Sequence, residues 1–485
     1  MLDYLTKERG CMFAEIIASI SSNFYTYVVI VLLIVGGIYF SVRTKAVQVR
    51  TLKDQVKVVT EKPKDKKGVS SFHALMVSTA SRVGTGNIVG VALALCLGGF
   101  GSIFWMWVIA IIGAASSFIE STLAQIYKRK GLMGSYGGPA YYIEKALKCR
   151  PLAIIFSILL VLTYGVGFNM LASFNLQATF KAYSFYNENV TPWIIGGVVA
   201  LLVGFCLFGG GKRIVKVTSV LVPIMGVAYI LVALLVIALN IKALPSVFVR
   251  IFTEAFDFKA IFGGFGGSCV MYGVRRGLFS NEAGVGSAPN ASAAADVSHP
   301  VKQGLVQILS VFIDTLLVCS ATAFMCMCSG VEPTGNDGAV YIQACVKSAL
   351  GGFGPIFITV AMVLFAFTTL LGNLFYVNQA FNHLFGKEPN KWFNSIYYVI
   401  ASVLILLGAG LNSPTLWDVA DIFMGCMAVI NMVVIAILSP KAIRALKDYI
   451  KKKKAGKECD FLAKDIGITE TLDYWQESED SKEIV

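Results

Sequence analysis

The residues Thr79-Ala-Ser-Arg-Val-Gly-Thr-Gly-Asn-Ile-Val-Gly-Val91 carry the densest chemistry in the chain. They lie inside a long apolar segment, yet they include three glycines, three hydroxyls, an asparagine and an arginine. A helix in lipid can open its backbone only where protein or a cavity satisfies the freed N–H and C=O groups. Glycine at 84, 86 and 90 makes such an opening cheap. Polar groups at bilayer depth are costly and point to function. Small residues also let two helices pack closely, so a tight crossing is the other reading. Arg82 and Asn87 in the same turn favour a broken helix lining a site.

A second cluster, Phe262-Gly-Gly-Phe-Gly-Gly-Ser268, opens a later apolar segment in the same way. Other ionisable groups at membrane depth are Arg82, Glu120, Arg275, Arg276, Glu282 and Asp314. Each costs roughly 2.5–3.5 kcal/mol on insertion scales if left unpaired in lipid, so pairing is expected. Glu120 is expected to meet an arginine, and Arg275, Arg276 and Glu282 to form a cytoplasmic gate network. Asp314 and Glu120 are the candidates for a carboxylate that titrates during a cycle.

The elements that must position these groups follow from composition. The chain has 485 residues, 56% hydrophobic and 14% charged, with mean hydropathy +0.70. These values exclude an ordinary soluble protein and point to a polytopic membrane protein. The net charge of +12 does not indicate nucleic acid, because the basic residues fall between apolar spans, where topology needs them. Cys96, Cys206, Cys269, Cys319, Cys326, Cys328 and Cys426 lie in or beside apolar spans without zinc-type pairs, and read as small reduced residues. The first apolar run, near Tyr25–Val42, lacks a cleavage-site pattern and reads as a retained helix.

Hydropathy predicts eleven spans: 23–43, 72–99, 101–127, 152–180, 192–208, 214–240, 261–288, 303–329, 353–385, 394–411 and 416–438. If each crosses once, the basic stretches 43–67, 128–150, 212–216, 387–391 and 441–454 all fall on one side. That side is the cytoplasm by the positive-inside rule, so the N-terminus is outside and the C-terminus inside. Residues 1–43 form a leader and an extra helix, and 44–71 a basic linker able to run along the membrane surface. Residues 72–240 and 261–440 form two five-helix repeats joined by an outer connector, 241–260. Residues 441–485 form a cytoplasmic tail, solvated after Asp460. Segments 244–258 and 334–350 are expected as short helices over the outer mouth. Five is odd, so the two repeats are inverted relative to each other. Matching interrupted helices at the head of inverted repeats point to the central site of a secondary transporter.

Several motifs resemble the alanine-or-glycine:cation symporters, the sodium:alanine symporter family. Val83-Gly-Thr-Gly-Asn-Ile88 resembles that family's first core helix. Gly98-Gly-Phe-Gly-Ser-Ile-Phe-Trp-Met-Trp107, running on to Gly113, is similar to its signature, with Ser102 where glycine or alanine is usual. Gly137-Gly-Pro-Ala-Tyr-Tyr142 and Gly277-Leu-Phe-Ser-Asn-Glu-Ala-Gly-Val-Gly-Ser-Ala-Pro289 also match. The resemblance covers about residues 25–445. It implies an all-α, leucine-transporter-like five-plus-five fold behind one extra helix, in a multi-pass protein of a prokaryotic cell membrane. It also implies symport of a small neutral amino acid with Na+.

On that resemblance, the amides around Gly84, Thr85 and Gly86 are expected to hold the substrate carboxylate, at a half-helix N-terminus. Carbonyls around Phe262–Gly267, with Gly264, Phe265 and Gly266 at the centre, are expected to take the ammonium. One sodium is expected between carbonyls near Ala80 and Val83 and the hydroxyls of Thr368 and Thr369. Asn87 is expected on substrate or a second ion. Without the resemblance, adjacent threonines in a helix mostly bond back to the preceding turn.

Two positions depart from the family pattern. Ala172 stands where glutamine is common, in Asn169-Met-Leu-Ala-Ser-Phe174, and Asn373 stands where tryptophan is common. If Ala172, Phe174 and Asn373 line the side-chain subsite, it admits a larger polar amino acid such as glutamine or serine. If they face lipid or another helix, substrate choice is unchanged. Two further readings remain: a proton-coupled carrier on the same scaffold, or an intramembrane enzyme. Against an enzyme, there is no H-E-x-x-H, and His73, His299 and His383 are dispersed. A channel would want a repeated filter or a charge ring, which two unlike halves do not offer.

Overall fold

In a computed structural model the chain folds almost entirely into helices, as uninterrupted apolar runs must where no water pairs the backbone. The structure describes residues 2–63, 68–131, 134–264, 268–333, 337–411 and 415–476. Among the described residues, eight helices are long and apolar enough to cross a membrane. They are α1 (Ala14–Arg43), α4 (Gly101–Ile126), α6 (Arg150–Ala182), α8 (Gly210–Leu239), α12 (Pro300–Met327), α14 (Phe353–Phe385), α15 (Lys391–Gly410) and α16 (Thr415–Lys454). A ninth span is a pair, α2 (Ser71–Arg82) and α3 (Gly86–Gly98), bent by 52° at the break between them. A shorter apolar helix, α7, covers Thr191–Leu207.

The segment expected as one span over 261–288 is built differently. Helix α10 (Cys269–Asn281) is followed by non-helical residues 282–288 and then by the short α11 (Pro289–Ala293). Gly284 and Gly286 take positive φ (85° and 91°), and Glu282 is left-handed at φ 52°. This interruption lies deep in the protein. Gly264, at the edge of the glycine cluster, is exposed, and Phe265 and Gly266 lie outside the described residues.

Two groups of helices pack around the breaks. Helix α4 lies against α10, α12 and α1, close enough at Gly273 and Gly277 that an added Cβ would meet Ser102 O at 2.5 Å and Ile109 Cγ2 at 2.6 Å. The second group joins α6, α7, α14 and α15; the α15 backbone approaches α6 at Gly408, where a Cβ would lie 2.4 Å from Met170 Cα. Helix α2 packs on α14 and α8, linking the groups.

One end of the molecule carries α9 (Leu244–Ala255) and α13 (Gly338–Leu350), short helices where they are expected. The other carries the basic linker, helix α5 (Pro139–Ala146) and a small hairpin pairing Arg129–Gly131 with Gly134–Tyr136. Helix α16 runs past Pro440 to Lys454.

The described part of the segment after Asp460, residues 461–476, packs on the protein rather than standing free in solvent. Phe461, Ala463, Ile466, Ile468 and Leu472 are buried, because every few residues an apolar side chain interrupts the acidic ones. The Phe461 N–H donates to Ser298 O (3.1 Å), and Trp475 Nε1 to Gln125 O (2.8 Å). Asp473 pairs with Arg129 (2.9 Å), and Glu470 pairs with Lys441. The ten cysteines from Cys96 to Cys459 are free thiols.

Candidate functional site

The break between α2 and α3 is built by Asn87. Its Oδ1 accepts the Gly84 N–H (2.8 Å), which in a continuous helix would go to the Ala80 carbonyl. Its own N–H donates to Gly84 O (3.1 Å) rather than to Val83 O. Neither the Ala80 nor the Val83 carbonyl receives its ordinary partner four residues on. Asn87 Nδ2 meanwhile reaches Asp314 Oδ1 (2.7 Å) and Ser280 Oγ (3.0 Å). Asn87 thus makes its contacts within the protein and shapes the opening.

Across from the freed carbonyls stands α14. Gly84 lies so close that an added Cβ would sit 2.1 Å from Thr369 Oγ1. That hydroxyl is buried and has no hydrogen-bond partner. Thr368 differs: its Oγ1 bonds back to Leu364 O (3.0 Å) and Phe365 O (3.1 Å). Thr369 is therefore brought against Gly84, with an orphaned oxygen beside the turn whose two carbonyls, of Ala80 and Val83, lack helical partners. Such a set suits a hard monovalent cation, which wants several neutral oxygens.

The aromatic wall of the break comes from α10. A Cβ at Gly86 would meet the Phe279 ring at 2.8 Å. Phe279 packs on Phe168 (centroids 4.5 Å) and on Trp417 (4.9 Å), and Arg276 lies 4.2 Å over the Trp417 ring. From here a cavity of about 380 Å³ runs toward the end bearing α13, past Phe174, Asn175, Lys181 and Asp337. Asn175 Nδ2 donates to Thr85 Oγ1 (3.3 Å). A larger cavity, about 540 Å³, opens at the other end beside His73, Lys212, Asn378 and Gln379.

The sequence-predicted residues divide on this geometry. Gly84, Thr85, Gly86 and Asn87 line the break, and Phe174 borders the smaller cavity. Ala172 is buried one turn from Asn175 on α6. Gly264 is not brought near them; Phe279 and Ser280 occupy the place opposite the break. Asn373 lines neither of these two cavities: Nδ2 donates to Asn169 Oδ1 (3.1 Å) and Oδ1 accepts from Ser81 (2.7 Å). Sequence reasoning missed Asn175, Phe279 and Trp417; of these only Phe279 stands in a motif that it singled out, Gly277–Pro289.

The intramembrane charges pair differently from expectation. Arg275 bonds Asp418 (2.6 Å) and Asp421 (2.6 Å), and Arg276 bonds Asp421 (2.9 Å). These aspartates open α16, so the arginines close the end away from the basic linker, and Glu282 takes no part. The reason is register: α10 runs from the α9 end inward, and its arginines come level with the start of α16. Glu120 meets no arginine directly. Its oxygens accept from Asn431 Nδ2 (2.7 Å) and from Gly284 N (3.3 Å). Arg82 is held by Gln307 (2.9 Å) and Ser117 (3.2 Å). Each histidine has its own partner, Ser70, Asp448 or Glu144, with no shared centre.

The chain matches the sodium:alanine symporter family over residues 11–463. It is 43% identical over 465 residues to the amino-acid carrier protein AlsT of Bacillus subtilis, covering 96% of this chain and 98% of that one. It is 44% identical over 437 residues to the probable sodium/glutamine symporter GlnT of the same organism, covering 90% of each. The sodium/alanine symporter AgcS of Methanococcus maripaludis is 36% identical over 459 residues, covering 91% of this chain and 99% of that one. Among solved structures, MhsT in complex with L-phenylalanine superposes with TM-score 0.54 at 14% identity, covering 82% of this chain and 91% of that one. A substrate-bound, outward-open Na+-coupled sialic acid symporter gives TM-score 0.52 at 11% identity, covering 90% and 89%. At those identities the two structures show a shared fold alone.

Proposed function

The chain belongs to the sodium:alanine symporter family and is a sodium-coupled amino-acid symporter, and from that premise we propose how its broken helix does the work. Sodium binds between the Ala80 and Val83 carbonyls and the hydroxyls of Thr369 and Thr368. The carboxylate of a small neutral amino acid sits on the amides of Gly84, Thr85 and Gly86. The carrying observation is the buried, unpartnered Thr369 Oγ1 facing a turn whose two carbonyls have lost their helical N–H partners. Sodium beside the carboxylate supplies the attraction that couples the two.

The ammonium end is taken by the interruption at 282–288, and not by the glycines at 262–267. The side chain points toward Phe279, Phe168 and Trp417, a wall suited to alanine. Asn373 spends its amide on Asn169 and Ser81, so any widening toward glutamine or serine rests on Ala172 and Phe174. GlnT, by its name, is a probable glutamine symporter, which makes glutamine the competitor to try first.

The nine spans, together with α7 and the α10–α11 pair, make eleven, in a leucine-transporter-like pair of inverted repeats behind α1. The basic linker and hairpin mark the cytoplasmic end. Transport then alternates between an outer closure, Arg275 and Arg276 on Asp418 and Asp421, and an inner one. Two relatives are described as sodium/proton-dependent carriers, so sodium and proton are tested together.

In proteoliposomes, alanine uptake is expected to vanish when choline replaces sodium at every pH. Thr369→Ala is expected to raise the half-saturating sodium concentration about tenfold or more, the usual loss for a hydrogen-bond-like contact to a charge. Full uptake without sodium, or an unchanged sodium curve in Thr369→Ala, overturns the assignment.

A further inference from the structure

Glu282 ends helix α10 in a left-handed conformation, φ 52°, a costly backbone state for a non-glycine residue. The turn aims its carboxyl at two hydroxyls. Ser287 Oγ donates to Oε2 (2.6 Å), and Ser81 Oγ lies 3.1 Å from Oε1. Ser81 has one proton and a second, nearer acceptor, Asn373 Oδ1, at 2.7 Å.

The direction of that second bond is set at its far end. Asn169 Nδ2 points at Gly165 O (3.4 Å), leaving Asn169 Oδ1 to accept from Asn373 Nδ2 (3.1 Å). Asn373 therefore turns its carbonyl to Ser81, and the Ser81 proton goes there. Ser81 is left as an acceptor toward Glu282, and an acceptor facing a bare carboxylate oxygen in a dry core is repulsive.

We propose that Asn373 is a positioning residue that orients Ser81 so that Glu282 holds a proton in this conformation, donating it to Ser81 Oγ. The chain Ser287→Glu282→Ser81→Asn373→Asn169 then has one donor for every acceptor. It ties the 282–288 interruption to α2, α14 and α6, the elements that must part for the inner end to open. When Glu282 loses the proton, Ser81 cannot serve both oxygens, and the tie between α10 and α2 weakens.

The other buried carboxyls are built for the opposite state. Both Glu120 oxygens face N–H groups, which only donate. Asp314 takes Asn87 Nδ2 on one oxygen, and Ser280 (2.7 Å) and Thr315 (2.8 Å) on the other. The ionisable groups facing Glu282 are Arg82 from α2, Glu120 from α4, Tyr164 from α6, Asp314 from α12 and Tyr376 from α14. Arg82 makes no ion pair with Glu282; its Nη1 and Nη2 go to Gln307 and Ser117, and its buried Nε has no partner. Two carboxylates outnumber this one cation around the site.

Infrared spectroscopy of the purified, reconstituted carrier at neutral pH tests the protonation itself, whatever the substrate is. A protonated carboxylic acid band is expected that disappears in Glu282→Gln and persists in Glu120→Gln. Asn373→Leu is expected to remove the band, because Ser81 is then free to donate to the carboxylate. Glu282→Gln, whose amide can donate to Ser81 as the acid does, is expected to fold and to flatten the alkaline limb of the uptake–pH profile. A band that survives Glu282→Gln, no band in the wild type, or a wild-type pH profile in Glu282→Gln overturns the proposal.

Discussion

Asp421 accepts from two guanidinium groups and is fully buried, whereas Asp418 binds one and is 23% exposed. The difference predicts unequal costs at the residue scale. Removing one partner of a buried pair leaves a charge without compensation and costs about 3–5 kcal/mol. A pair reached by solvent contributes about 0–1 kcal/mol. Asp421→Asn is therefore expected to lower the unfolding midpoint of the detergent-solubilised carrier strongly, and Asp418→Asn only slightly. Equal losses in a thermal-shift series would remove Asp421 from its central place. Single residues were unevenly legible in the sequence. Asn87 stood out because a motif marked it, and Thr369 only through the family resemblance. The partner of Arg275 did not, since only the register between α10 and α16, some 140 positions apart, decides which carboxylate comes level. Asn373 was legible as a departure, but not as a hydrogen-bond relay, because its role depends on Asn169 and Ser81 arriving from two other helices.

Elements meet here through glycines that admit a neighbouring backbone. Gly372 of α14 lies where an added Cβ would be 2.6 Å from the Ser81 amide nitrogen, which is backbone and cannot yield. Gly372→Ala is expected to cost about 1–3 kcal/mol by overpacking and to abolish uptake, because it separates α14 from the turn of α2 proposed to bear sodium. Gly226 of α8 has nothing within 4 Å of the same test atom. Gly226→Ala is expected to be neutral or to stabilise by up to about 1 kcal/mol, the helix-propensity difference. Matched uptake and unfolding measurements on the two variants check the contrast. The first interrupted helix was legible because its glycines fall amid polar residues that need an opening. The second, at 262–268, falls partly outside the described residues; the further break at Glu282–Ala288, with the positive-φ pair Gly284 and Gly286, was not read, because two glycines in a short motif do not by themselves mark an opening. The short helices at 244–255 and 338–350 were legible from moderate apolarity between spans.

At the scale of the whole molecule, the C-terminal segment turns what reads as a solvated tail into a strap across the basic end. Its acidic residues suggested solvent, but they alternate with Phe461, Ile466, Ile468 and Leu472, and the basic hairpin offers them cations. The strap closes over His299, whose side chain is fully buried between the rings of Tyr449 (5.2 Å) and Phe461 (4.9 Å). Nδ1 accepts from Val301 N (3.2 Å), so the Nε2–H faces Asp448 (3.3 Å) and the ring is neutral. Burial pushes His299 down to about 4, against the pull of Asp448. The ordinary value is about 6.5, so the folded state binds fewer protons than the unfolded one between these values. Stability from this site is then complete above about pH 6.5 and is lost as pH falls toward 4, by roughly 3 kcal/mol in all. Subtracting the unfolding curves of His299→Phe from wild type across that range isolates the effect; a flat difference would show that the imidazole is not sealed. Trp475 anchors the far end of the strap on Gln125 and under Lys128, whose Nζ lies 5.0 Å from its ring. Trp475→Ala is expected to free the strap and expose its half-buried Cys459 to thiol reagents, with faster peptide-resolved labelling there and none at buried Cys319. If labelling of Cys459 is unchanged while His299 keeps its pH effect, the strap is held by Phe461 and Asp473, and the anchor moves to them.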